Sequence, residues 1–328
     1  MEPVEGGPEG DVRPTTEKTA APPSAPVEKV TPAPPLVRKP ACSPPEACET
    51  VTAVLQKIQA ARGRRLFVLM AADIDDDTYE EVCRWREELR EAGSDEKLDV
   101  LIHSTGGGLS TCYQIARILA RSANAWEALL PSLGPSGSTL ISLGSARLVM
   151  SEVAQLGPID PQVISKKHEK FFAVERQSPL EAFQAVKYLR GIALGSLDAT
   201  MTFLFDKNVA PKPALETSCN FGLHLVQPIL AKIDPYDLGA FSLDASLAVH
   251  YCERIANPAD PQKKTQRKVK VRDLVEKYPA HEFVIDLEEA KALNFNVIEP
   301  TPELDALFTE ASAALNELQQ YIGFVPPS

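Results

Sequence analysis

The chain has 328 residues, 44% of them hydrophobic, and a formal net charge of −11. That is enough apolar material for one large domain or two small ones, and the acidic balance argues against a general nucleic-acid surface. The least polar stretch, Ala125 to Met150, is interrupted by Pro131, Gly134, Pro135, Gly137 and Gly144, whereas a membrane span needs about 20 continuous apolar residues.

Residues 1–45 hold 12 of the 28 prolines and no apolar period that could offset the entropy of ordering, which predicts a disordered Pro-rich arm. The arm lacks the charged start, apolar stretch and small-residue cleavage site of a secretory signal. Cys42, Cys48, Cys83, Cys112, Cys219 and Cys252 are scattered and form no metal-type C-x-x-C pair. Reduced thiols, no metal site and a cytoplasmic protein are the expectation. One basic cluster, Lys263, Lys264, Arg267, Lys268, Lys270 and Arg272, reads as a solvated loop and helix face, with a docking patch as the alternative.

Val51, Val54, Leu55 and Ile58 recur at helical spacing and predict a short helix ending near Gly63. Leu66 to Met70 is a buried strand, and Thr78 to Ala92 a charged helix closed by Gly93. Leu98 to Ile102 is the next strand and Leu109 to Ser122 the next helix. Trp126 to Leu130 reads as a strand, Ser136 to Leu143 as a short helix stopped by Gly144, and Arg147 to Met150 as a strand. Alternating units with wholly apolar strands predict an α/β fold with a mostly parallel, helix-covered sheet. Ser178 to Asn257 reads as helical, broken by Pro211, Pro213, Pro228 and Pro235. Phe283 to Ile285 reads as a strand, Leu287 to Leu293 as a helical turn, and Val297 to Ile298 as an edge strand. An amphipathic helix follows Pro302, ahead of a Pro-rich end.

Two turns follow buried strands and open helices. In His103-Ser104-Thr105-Gly106-Gly107-Gly108 the glycines allow close backbone approach, and the helix N-terminus offers N–H donors. The spacing is not G-x-G-x-x-G, and no G-K-[ST] follows, so a nucleotide site loses its usual support. In Leu133-Gly134-Pro135-Ser136-Gly137-Ser138-Thr139 a serine at a helix start gains from the helix dipole. A neighbouring N–H there can face a developing oxyanion. An ordinary N-cap serine is the competing reading.

The segments Asp99 to Gly107, Ser136 to Ile141 and Leu156-Gly157-Pro158-Ile159-Asp160-Pro161-Gln162 resemble, in order, the signature of the serine dehydrogenase proteinase family. That family is akin to the Clp protease subunit and signal peptide peptidase A. The likeness continues through Lys232-Ile233-Asp234-Pro235 and Tyr278 to Asp286. It implies a Clp/crotonase-type spiral of ββα units with additional helices, covering residues 46–300 after the 1–45 arm and before a helix and tail at 301–328. It also implies a homo-oligomer acting on a peptide or protein substrate without a cofactor.

Carried over by position, the resemblance makes Ser136 the nucleophile and the N–H groups of Gly107 and Gly137 the oxyanion hole. Losing one such donor costs about 3 kcal/mol of transition-state stabilisation. Thr105 stands where a proline is usual, and Ser138 where a glycine is common. The base is open. His281 lies where Clp-type proteases carry their triad carboxylate and Asp160 near the place of their histidine, giving the order Ser, Asp, His. His103 reads as structural, His168 lies in a charged run, and His224 and His250 fall in helical patterns. Lys187 is the alternative base, as a desolvated lysine. A crotonase-type acyl-CoA enzyme and a proteolytically inactive Clp-fold scaffold are the competing functions.

Overall fold

The computed structural model describes residues 38–94, 98–123, 125–160, 163–164, 176–177, 179–231, 234–256 and 269–327. The expectations for residues 1–37, for His168, for Lys232 and Ile233 and for Lys263 to Lys268 lie outside these residues. The chain begins with β1 (Ala41–Ser43), α1 (Pro45–Arg62), β2 (Arg65–Ala71), α2 (Asp76–Arg84) and α3 (Arg86–Ser94). There follow β3 (Leu98–His103), α4 (Leu109–Ser122), β4 (Trp126–Leu130), β5 (Leu133–Gly134), α5 (Gly137–Ser142), β6 (Arg147–Met150) and β7 (Gln155–Leu156). The short pair β8 (Val163–Ile164) and β9 (Arg176–Gln177) precedes α6 (Pro179–Asp206), α7 (Pro211–Leu230) and α8 (Pro235–Ala256). The last elements are α9 (Val271–Glu276), α10 (Leu287–Ala292), β10 (Val297–Ile298), α11 (Pro302–Leu315) and β11 (Gln320–Phe324).

The central sheet has seven strands in the order β1-β11-β2-β3-β4-β6-β10. Its β2-β3-β4-β6-β10 part is parallel, and β11 is antiparallel to both neighbours. Side chains alternate across a strand, so β2 sends Phe67 and Leu69 to one face and Leu66, Val68 and Met70 to the other. The first face packs under α2, α3, α4 and part of α8. The second packs under α1 and α11 through Leu55, Ile58, Phe308 and Leu315. Both faces are covered, which is why these strands read as unbroken apolar runs.

Five details differ from the sequence reading. The expected helix at 78–92 is two helices, because the chain breaks at Trp85. That indole packs edge-on to Phe67 and Phe324, with ring centroids 6.4 and 5.8 Å apart. Phe283 to Ile285 contributes a single antiparallel bridge, Ile285 to Leu156, and not a strand. The C-terminal segment is no appended tail, since β11 lies within the sheet between β1 and β2. Near the N-terminus β1, which falls inside the stretch read as an arm, pairs with β11. The turn after β1 also joins Cys42 to Cys48 in a disulfide with Cα atoms 6.0 Å apart, which corrects the reading of all six cysteines as thiols.

At the amino edge of the parallel strands sits a buried charge cluster. The Asp99 carboxylate accepts from Arg62 Nε at 2.7 Å and from Arg64, and Glu127 accepts from Arg62 Nη2 at 2.7 Å and from Arg147. Burial alone would push the Glu127 carboxyl up, but the hydrogen bonds of Arg147 and Arg62 and the charge of Arg64 hold it below its ordinary 4.5. A depressed carboxyl contributes stability that is fully present above its unfolded pKa and is lost as pH falls through the folded one. We therefore expect unfolding free energy to decline below pH 4.5, in part through Glu127. Asp99→Ala, which leaves Arg62 and Arg64 with Glu127 as their remaining carboxylate, should cost about 3 kcal/mol in urea denaturation at neutral pH. A loss under about 1 kcal/mol would show the cluster to be solvated like a surface pair.

Candidate active site

Parallel strands deliver their following turns to one edge, and the two glycine-containing turns meet there. Ser136 occupies the position before α5 with φ 52° and ψ −115°. A non-glycine residue rarely holds such a backbone, and it costs about 1 to 3 kcal/mol unless its surroundings impose it. The surroundings are three glycine segments. A Cβ on Gly106 would come within 2.9 Å of the Ser136 Cβ and 3.0 Å of the Gly137 nitrogen. A Cβ on Gly137 would lie 2.3 Å from Cys112 Sγ and 3.2 Å from the Gly107 nitrogen, and one on Gly157 would lie 2.8 Å from the Pro135 Cβ. Backbone thus takes the place of side chains around this serine.

The half-buried Ser136 hydroxyl makes no capping hydrogen bond, so the ordinary N-cap reading does not describe it. Among the described residues, neither the Gly107 nor the Gly137 N–H donates to another residue. Ser138, the other hydroxyl of the motif, is wholly buried, and its Oγ donates to the Ser104 carbonyl at 3.5 Å. Cys112 offers no rival nucleophile, because burial, with the Asp73 charge adding to it, pushes its thiol up to about 12.

Two residues outside the sequence reading hold the turns in place. Thr139 Oγ1 donates to the Gly157 carbonyl at 2.9 Å and accepts from the Gly157 N–H at 3.1 Å, clasping the third glycine segment to the start of α5. Ile74 donates its N–H to Gly106 O at 2.7 Å, and its carbonyl accepts from the Gly108 N–H at 3.1 Å. Ile74 acts through its backbone, which leaves no mark in residue type. Thr139 lies inside the motif, and a buried hydroxyl beside a glycine turn is a signal that sequence reading can use.

The remaining sequence candidates fall into separate groups. Asp160 is buried, and its Oδ2 lies 3.9 Å from His281 Nδ1, an ion-pair distance longer than a hydrogen bond. Leu156, four residues before Asp160, exchanges both backbone bonds with Ile285, which ties the loop carrying His281 to the segment carrying Gly157. Lys187 is exposed on α6. His103 is buried between Asn316 Oδ1 at 3.1 Å and Ser132 Oγ at 3.2 Å. Burial, only partly opposed by the Asn316 bond, holds its imidazole below the ordinary 6.5, in keeping with a structural role. His224 and His250 are exposed on α7 and α8. No group of three or more His, Cys, Asp or Glu among the described residues could hold a metal ion, and no described helix is long and apolar enough to cross a membrane.

Residues 62–206 match the family model of ClpP-like SDH-type serine proteinases. Two uncharacterized proteins of Methanocaldococcus jannaschii are also similar. One is 30% identical over 119 residues, covering 36% of this chain and 42% of that protein. The other is 32% identical over 75 residues, covering 23% and 26%. The match therefore spans less than half of either relative. Among solved structures, two mutant forms of the 1510-N membrane-bound stomatin-specific protease, one in complex with a substrate peptide, are similar at TM-scores of 0.29 and 0.28. They are 14% and 18% identical and cover 47% and 48% of this chain and 69% and 73% of their own.

The tight turn itself is testable. Gly107 has φ 157°, and a Cβ there would stand 2.1 Å from the Ile74 carbonyl oxygen. Gly107→Ala should destabilise the fold by about 2 to 4 kcal/mol in chemical denaturation, through backbone strain plus overlap with fixed backbone. Gly63 has φ 60°, and a Cβ there would meet nothing within 4 Å, so its replacement by alanine should cost only about 1 kcal/mol. Equal costs would show that the Ile74 contact gives way freely.

Proposed function

Residues 62–206 carry the ClpP-like SDH-type serine proteinase pattern, and on that footing we propose that the chain is a serine peptidase acting through an acyl-enzyme on Ser136. The observation that carries the reading is the Ser136 turn: a positive-φ serine whose hydroxyl makes no cap, beside two glycine N–H groups that donate to no described residue. Ser136 Oγ attacks the substrate carbonyl carbon while His281 takes its proton. The oxyanion then forms against the N–H groups of Gly107 and Gly137, rigid donors that need no reorganisation. The tetrahedral adduct breaks its C–N bond, and His281 gives the proton to the leaving amine. Water, deprotonated by the same imidazole, releases the acid and restores Ser136.

Asp160 orients the imidazole in this scheme. Asp160 Oδ2 and His281 Nδ1 lie 3.9 Å apart, within ion-pair reach, and the proposed mechanism draws them together as the imidazolium forms. His281 is favoured over Lys187 because a lysine base must be desolvated, and Lys187 is exposed. A fluorophosphonate probe should label wild-type protein on Ser136. Ser136→Ala should abolish labelling, and His281→Ala should slow peptide hydrolysis by about 10⁴-fold or more, with Lys187→Ala near wild type. A crotonase-type enzyme or an inactive scaffold would show no labelling. Near-normal hydrolysis by folded His281→Ala, with none by Lys187→Ala, would move the base to the lysine.

Self-association through helices is part of the same reading. The apolar side of α11, Leu304, Phe308, Ala311 and Leu315, is buried against α1. Most exposed large apolar side chains of the described residues lie instead on α6, α7 and α8, among them Phe203 at 59%, Leu223 at 55% and Leu243 at 73% exposure. Exposed large apolar side chains in such number on three consecutive helices are a mark of association surfaces. Residues 179–256, which span the three helices, carry six basic against eight acidic side chains, a near balance that keeps repulsion between two copies small. Light scattering at micromolar concentration should give a mass above 35.7 kDa, and Phe203→Glu with Leu223→Glu should reduce it to that of a monomer. A monomeric wild type would contradict this assembly.

A further inference from the structure

Thr105 occupies the glycine turn at the position where the family resemblance leads one to expect a proline. A proline there would stiffen the chain by fixing φ near −65° and would remove an N–H. Threonine does neither, yet the turn is held at four points by the loop after β2. Thr105 Oγ1 donates to the Ala72 carbonyl, and the Thr105 N–H reaches the same oxygen at 3.4 Å. The Ile74 N–H donates to Gly106 O at 2.7 Å, and the Gly108 N–H donates to Ile74 O at 3.1 Å. The loop is itself anchored: Asp75 caps α2 by accepting from the Thr78 N–H at 2.9 Å, and Asp76 accepts from Thr111 Oγ1 of α4 at 3.1 Å. Gly107 lies in the middle of these contacts, and its nitrogen faces the Ser136–Gly137 turn.

We propose that Thr105 is a positioning residue for the Gly107 N–H: its hydroxyl bond to Ala72 restrains the turn in the way a proline ring otherwise would. The side-chain bond matters because the backbone bond at Thr105 is long. Thr105 is exposed, so water competes for both ends of the pair once the hydroxyl is removed. The turn then samples orientations in which the Gly107 N–H no longer meets the oxyanion. Because the hydroxyl is engaged by the Ala72 carbonyl, its loss lowers the rate of the chemical step without altering substrate binding or the titration of the base.

The inference rests on the peptidase reading, and the test separates the two. Thr105→Val removes the hydroxyl and keeps the shape, while Thr105→Ser keeps the hydroxyl. In fluorophosphonate labelling of Ser136, Thr105→Val should lower the maximal rate about tenfold, with half-saturating probe concentration and pH profile unchanged. Thr105→Ser should stay within about twofold of wild type. Hydrogen exchange across residues 104–108 should quicken in Thr105→Val and not in Thr105→Ser. Wild-type labelling in Thr105→Val, or equal losses in both variants, would overturn the proposal. If wild-type protein is never labelled, the peptidase reading falls on its own, and unchanged exchange in Thr105→Val overturns the restraint independently of activity.

Discussion

Ser136 holds a positive φ because nothing larger than backbone fits around it. A Cβ on Gly106 or Gly157 would overlap the serine turn at 2.9 Å or less, and one on Gly137, within that turn, would overlap Cys112 Sγ at 2.3 Å. The segments between them are pinned in turn: Ser104 N–H to Leu133 O at 3.1 Å, Ser138 N–H to Pro135 O at 3.1 Å, and Thr139 to both edges of Gly157. Close-packed backbone has few alternative arrangements, so the strain at Ser136 is carried by many bonds and not by one. Under the proposed peptidase reading these bonds hold both glycine N–H groups beside the serine in place, the condition under which donors stabilise a developing charge at no reorganisation cost.

The sheet separates what holds the fold from what the turns present. Arg62, Arg64 and Arg147 converge on Asp99 and Glu127 where β3 and β4 begin, whereas the glycine turns lie where β3 and β4 end. Parallel strands put these two sets at opposite edges, which is the arrangement that leaves the carboxyl edge open for ligands in α/β sheets. Between the edges the strands are buried on both faces. Changes in the charge cluster are therefore expected to act on stability, and changes in the turns on reactivity, with Gly107 the position where the two meet.

The strands and the glycine turns were legible because burial and close approach each restrict residue type: an unbroken apolar run for a two-sided strand, and glycine where no Cβ fits. What escaped was written in other terms. Trp85 sits within a helical pattern, and its packing on Phe67 and Phe324 at the point where the two helices part is a tertiary contact that the pattern does not carry. β11 is short, contains Gly323 and runs into prolines, so its composition suggests a tail; its register against β2 supplies the evidence for a strand. Ile74 works through its own N–H and carbonyl, for which any residue would serve. The exposure of α6 to α8 was hidden for a different reason. Their apolar residues are the same types that fill a core, and a hydrophobic sequence does not say whether its partner is another part of the chain.

The segment from Gln155 to Asp160 couples the serine to the histidine. Its β7 pairs with β5, which leads into the Ser136 turn, and its Leu156 pairs with Ile285 beyond His281. Gly157 then touches Pro135, and Asp160 approaches His281 three residues later. On the other side the His281 loop is steadied by Tyr278, whose ring stacks on Phe283 at 4.5 Å and whose hydroxyl donates to Glu289 Oε1 at 2.7 Å. Burial, together with that bond, pushes the Tyr278 phenol well above its ordinary value, so it remains a donor throughout the working pH range. A small shift of 155–160 therefore moves the proposed nucleophile's turn and the proposed base's orienting carboxylate together.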